Sequence, residues 1–131
     1  MTELHGWMAI LETYGDEDLL SKDQLDSIMR KVKSIITGSA YEIELLRRNG
    51  LYYLDTLFCS NHRTAEIDGI IDVYKSVAEA ATGSYGMIWL WDDEDAVHRN
   101  EFQVFVFKRG KCFFRTDTDL SPCVPVIEDD I

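Results

Sequence analysis

The chain has 131 residues, enough for one domain and one core of useful size. Hydrophobic residues make up 46% and charged residues 28%, which is a globular composition rather than a disordered one. With 13 Lys and Arg against 24 Asp and Glu, the net charge of −11 argues against direct nucleic-acid or anionic-membrane binding, because both need cationic contacts; it suits a basic protein partner, or serves nothing more specific than solubility.

In chain order, Leu4–Thr13 reads as a strand. An acidic turn follows at Gly15-Asp16-Glu17-Asp18. Ser21 with Gln24 forms a capping-box signature, and Leu25, Ile28, Met29, Val32, Ile35 and Ile36 then recur at helical spacing. Lys31 and Lys33 are expected in the last turns of that helix, where they would complement its dipole, and Gly38 is a stop signal. Tyr41–Arg48 and Leu51–Phe58 flank Asn49-Gly50, a dipeptide that favours the positive φ values of a tight hairpin. Thr64 is positioned to cap a second helix, whose apolar stripe is Ile67, Ile70, Ile71, Tyr74, Val77, Ala78 and Ala81. Gly83 ends it, and Ser84–Trp91 resumes as strand. Phe102–Lys108, a turn at Arg109-Gly110 and Lys111–Arg115 form a second hairpin, and the tail from Leu120 to Ile131 is irregular, stiffened by Pro122 and Pro125.

This order predicts an α+β fold in one domain over residues 1–131, with a mostly antiparallel sheet of about six strands and two helices on one face. The first six elements match the ferredoxin-like βαββαβ order, and the second hairpin is added at the C-terminal side. Strand alternation puts Tyr85, Met87, Trp89 and Trp91 opposite Ile88 and Leu90, and separates Phe102, Val104 and Val106 from Phe105 and Phe107. Both faces are therefore apolar, while two helices cover only one. The tail, a second copy or another protein is left to cover the other, and an exposed apolar patch marks an interaction site.

Asp92-Asp93-Glu94-Asp95 is the densest charge cluster. Hard oxygen ligands suit Mg²⁺ or Ca²⁺, but the alternating ligands and the glycine of a calcium loop are absent. A solvated turn between strands is the better reading, and an electrostatic docking patch is the third. Asn61-His62-Arg63 stands between a strand and a helix, where a His–Arg pair could serve a nuclease or phosphotransfer site. No nucleophile, phosphate loop or metal motif accompanies it, so hydrogen bonding at the helix entry is favoured. Cys59, Cys112 and Cys123 are odd in number and lack paired spacing, which argues for free thiols in a reducing compartment. No signal peptide or membrane-spanning run is expected, and no cofactor; the expected location is cytoplasmic.

The stretches His5-Gly6-Trp7, Asn61-His62-Arg63, Gly83-Ser84-Tyr85-Gly86, Asp92-Asp93-Glu94-Asp95, Asn100-Glu101-Phe102-Gln103-Val104, Lys108-Arg109-Gly110, Leu120-Ser121-Pro122-Cys123 and Ile127-Glu128-Asp129 stand in this order along nearly the whole chain. Together they resemble the Immunity protein 7 family of bacterial polymorphic toxin systems. The chain departs from the family pattern mainly at Trp91 and Cys112. The resemblance implies a protein that is not an enzyme and is encoded beside a toxin gene. It would bind the cognate toxin's C-terminal domain, delivered by contact-dependent or secretion-system machinery, and would be a monomer or homodimer when free. Many such toxins act on nucleic acid and carry basic clefts, which acidic side chains can occupy. On this reading the toxin-binding residues are Asp92, Asp93, Glu94 and Asp95 with the aromatic anchors Trp91 and Trp89, and Asp16, Glu17 and Asp18 as a second patch. His5, Trp7, Asn61, His62, Arg63, Tyr85 and Gly86 would be family-motif residues that hold the fold. The competing functions are a small enzyme built around His62 and Arg63, and a homo-oligomeric module that buries the aromatic face between copies.

Overall fold

The computed structural model describes residues 1–15 and 19–124. The elements run β1 (Thr2–Ile10), α1 (Lys22–Gly38), β2 (Glu44–Arg48), β3 (Leu51–Ser60), α2 (Ala65–Ala80), β4 (Tyr85–Asp92), β5 (Gln103–Lys108) and β6 (Lys111–Thr116). The six strands form one sheet in the order β2-β3-β1-β4-β5-β6, with every neighbouring pair antiparallel. β1 and β2 flank β3 and so run parallel to each other across it; β3 and β4 likewise flank β1. This is the split βαβ arrangement expected from the element order, with the β5–β6 hairpin extending the sheet beyond β4.

Local chemistry sets the boundaries. β1 ends at Ile10 rather than Thr13, because the Leu11 amide leaves the ladder and donates to Ser84 Oγ at 3.1 Å. The Ser21–Gln24 capping box forms in full: Gln24 N donates to Ser21 Oγ at 3.1 Å, and Ser21 N donates to Gln24 Oε1 at 2.8 Å. Lys31 and Lys33 fall short of the last turn of α1, which holds no basic residue. Gly38 closes the helix, but the chain leaves it through an extended Ser39 rather than a left-handed glycine. Thr64 takes the N-cap position of α2 without a side-chain bond; Ile67 N donates to its carbonyl instead. β2 begins only at Glu44, since Tyr41 turns its ring against Gly69 of α2, where a Cβ would lie 2.1 Å from the ring. Asn49 and Gly50 adopt φ of 50° and 80°, and Arg109 and Gly110 adopt 51° and 75°, so both predicted tight turns are present.

The core lies between α2 and one face of the sheet. Leu4, Met8, Leu54, Ile88, Leu90 and Phe107 point from the strands toward Ile67, Ile70, Tyr74 and Val77, and all are fully or almost fully buried. Gly6 lets α2 approach the sheet closely: a Cβ there would stand 2.9 Å from the Tyr74 hydroxyl oxygen. That hydroxyl shares a buried hydrogen bond with Thr56 Oγ1 at 2.8 Å, and burial pushes its pKa well above the usual tyrosine value. α1 lies alongside α2 and contributes only Val32 to the fully buried set.

Candidate functional site

Register places the opposite face of the sheet, away from both helices, in rows that run across the strands. One row reads Phe113–Val106–Met87–Trp7–Asp55–Glu44 from β6 to β2. The next, toward the start of β1, reads Arg115–Val104–Trp89–His5–Leu57, and the one beyond it carries Trp91, Glu3 and Cys59. On this face Leu57 is 63% exposed, Tyr85 48% and Trp7 36%. Trp7 and Tyr85 meet edge to face with ring centroids 6.1 Å apart, which fixes both rings as a step on the surface. Trp89 is half-buried between His5 and Val104 in the same row.

Trp91 lies at the corner of the face and is held from within. Its Nε1 donates to the Arg99 carbonyl at 3.1 Å, and its ring packs 6.3 Å from Phe102. The tail reaches this corner. Cys123 N donates to the Asn100 carbonyl at 3.0 Å, Phe102 N donates to Ser121 Oγ at 3.0 Å, and the Asn100 amide exchanges two further bonds with Val124. Burial, with Asp117 and Glu3 nearby, pushes the Cys123 thiol pKa up, and burial does the same for Cys112.

The loop after β4 divides its four carboxylates by role. Asp92 is buried and accepts the Glu94 amide at 3.1 Å. Asp95 Oδ1 accepts the amides of Val97 and His98 at 2.9 and 2.8 Å; these two N–H groups, His98's first, hold its carboxyl below the usual range. Asp93 and Glu94 point outward, Asp93 onto the Met1 amine at 2.6 Å and Glu94 onto His62 Nδ1 at 2.7 Å. Arg63, beside His62, pairs with Asp68 in the first turn of α2 at 2.5 Å. The Asn61–Arg63 segment, the start of β1, the Asp92–Asp95 loop and Asn100–Gln103 thus gather at one end of the sheet. Gly86 sits at the other end, where a Cβ would fall 2.1 Å from the Trp7 carbonyl oxygen. Asp16, Glu17 and Asp18 lie outside the described residues, as do Pro125 and the Ile127-Glu128-Asp129 motif.

Two charged regions of the face escaped the sequence reading. Glu42, Glu44 and Asp55 line a groove of about 410 Å³ with Tyr41, Ile43 and Leu57, at the β2–β3 margin. Lys108, Lys111 and Arg115 stand on the same face at the β5–β6 margin. Each group assembles from two strands. Alternation at Asp55 between Tyr53 and Leu57, and the absence of any Asp or Glu between Phe102 and Thr116, are the signals that point to them.

Among the described residues no group of three or more His, Cys, Asp or Glu could hold a metal ion, and no helix is long and apolar enough to cross a membrane. The fold, and the sheet face that the described residues leave open, define a small α+β protein with a broad aromatic and charged surface on one side of its sheet. The chain belongs to the Immunity protein 7 family, whose model matches residues 1–129, and this makes it an immunity protein of a toxin system with a toxin as its partner. No curated protein and no solved structure matches it.

Proposed function

We propose that this protein neutralises the C-terminal domain of a polymorphic toxin, a nuclease with a basic cleft, by stoichiometric binding in the cytoplasm of the protected cell. The toxin is of the kind delivered by contact-dependent or secretion-system machinery. The observation that supports this is the position of the acidic loop at the rim of the helix-free aromatic face, in a family whose members are immunity proteins. Carboxylates accelerate encounter with a basic cleft, and a desolvated aromatic cluster beside them slows release. Asp93 and Glu94 are the carboxylates that face outward, with Trp89 and Trp91 as the adjacent aromatics; Asp92 and Asp95 hold the loop in shape.

The test pairs this chain with the toxin domain encoded by the neighbouring upstream frame. Asp93→Lys together with Glu94→Lys should slow association about tenfold at low salt and flatten its salt dependence. An unchanged association rate and full protection of cells would sink the assignment of this loop. Purified protein with toxin should show a stable complex and no turnover of its own.

A further inference from the structure

The helix-free face is ordered by charge as well as by hydrophobicity. From β6 to β2 it spans five strand spacings, about 24 Å. At one margin Lys108 and Lys111 pair across the β5–β6 turn, and Arg115 follows two positions beyond Phe113. Lys108 and Arg115 both reach over the Phe113 ring, at 5.6 and 5.9 Å from its centroid, which holds the cations on the surface as a row. Between Phe102 and Thr116 the chain has Lys108, Arg109, Lys111 and Arg115 and no acid, a local excess of positive charge in a chain of net −11. At the other margin lies the Glu42–Glu44–Asp55 groove, with Tyr41 and Leu57 in its walls. Trp7, Met87 and Trp89 occupy the middle.

We infer that the toxin lies across this face in one orientation, with its Lys and Arg side chains in the Glu42–Glu44–Asp55 groove, an apolar patch on Trp7, Met87 and Trp89, and carboxylates of its own on the Lys108–Lys111–Arg115 row. This rests on the toxin-binding reading above and adds the register of the complex and the sign of charge at each end of the partner. Apolar burial alone is non-directional, so an aromatic band could be covered in many rotations; opposite charges at its two margins select one and penalise the reverse. The groove fits a basic side chain, because the exposed Leu57 can line its aliphatic stem while the carboxylates take its head group. Nucleic acid is a poorer match to the cation row, since a phosphate backbone crossing the face would meet the acidic margin.

The experiment compares wild type, Glu44→Lys with Asp55→Lys, and Lys108→Glu with Lys111→Glu and Arg115→Glu, all checked for native circular dichroism and melting temperature. Affinity for the adjacent-frame toxin domain is measured by titration calorimetry. Each reversal should weaken binding at least about tenfold, and both should be partly rescued by opposite reversals on the toxin. If wild type forms no complex at all, the toxin-binding reading itself fails. If wild type binds and either reversal leaves affinity within about twofold, the reading stands and the orientation is wrong. A labelled oligonucleotide held by wild type and released by the Lys/Arg reversal, with toxin affinity unchanged, would overturn it in favour of nucleic acid. A homodimer that the reversals dissolve without changing toxin affinity would overturn it in favour of a second copy.

Discussion

The two faces of the sheet use the same strands to opposite ends. Along β1, Leu4 and Met8 vanish into the core, while the interleaved His5 and Trp7 emerge on the helix-free side. On the helix side, packing is tight enough that Gly6 has no room for a methyl group beneath Tyr74. On the other side, large rings stand at the surface with charges at the margins. The difference teaches that one face holds most of the buried core, while the other leaves Trp7, Tyr85 and Leu57 at the surface. Surplus apolar surface of that kind is characteristic of a protein that completes its burial in a complex.

Neighbouring substitutions on β1 should separate the two roles. Leu4→Ala should cost roughly 3 kcal/mol of stability through the cavity it leaves, read as a lower urea midpoint, and should leave toxin affinity of the folded fraction unchanged. Trp7→Ala should behave in the opposite way, losing about 2 kcal/mol of binding while stability moves by less than about 1 kcal/mol. If Trp7→Ala unfolds the protein as Leu4→Ala does, the division between faces is false.

Two smaller effects sharpen the comparison. Tyr74→Phe strands Thr56 Oγ1 in the core and should cost about 1 kcal/mol or somewhat more, with no change in affinity. Asp95→Ala should cost about 1 kcal/mol near neutral pH by removing the acceptor for Val97 and His98. Asp95 has a lowered pKa in the folded state, so its contribution is fully present above the ordinary carboxylate pKa of about 4 and is lost as pH falls through its folded value. The denaturation midpoints of wild type and Asp95→Ala should therefore converge in acid. A gap that persists at low pH would show that the carboxylate charge is not what holds the loop.

Much of the fold was legible because it rests on local signals. Asn49-Gly50 and Arg109-Gly110 demanded tight turns, Ser21 with Gln24 marked a helix start, and the stripe from Ile67 to Ala81 marked the helix that became the centre of the core. Alternation also separated the two faces of β4 correctly, with Ile88 and Leu90 inward and Trp89 and Trp91 on the opposite side. The strand ends were less legible, because the Ser84 hydroxyl that captures the Leu11 amide is distant in sequence. The site was legible only where it is contiguous. The Asp92–Asp95 run is plain to see, but its split into loop-forming Asp92 and Asp95 and outward Asp93 and Glu94 follows from hydrogen bonds that spacing does not encode. Glu44 and Asp55 become neighbours only through the β2–β3 register, and Lys108 and Arg115 share a face only because a six-residue strand returns alongside another.

The hairpin of β5 and β6 has a consequence of its own. It is a short, continuous cassette at the margin of the sheet, joined by a two-residue turn and bordered on one side only. Exchanging it between related chains that keep Phe107 against Tyr74 would rewrite the positive margin while leaving the core in place. A lineage that must keep pace with a changing adversary could swap locks there without rebuilding the door.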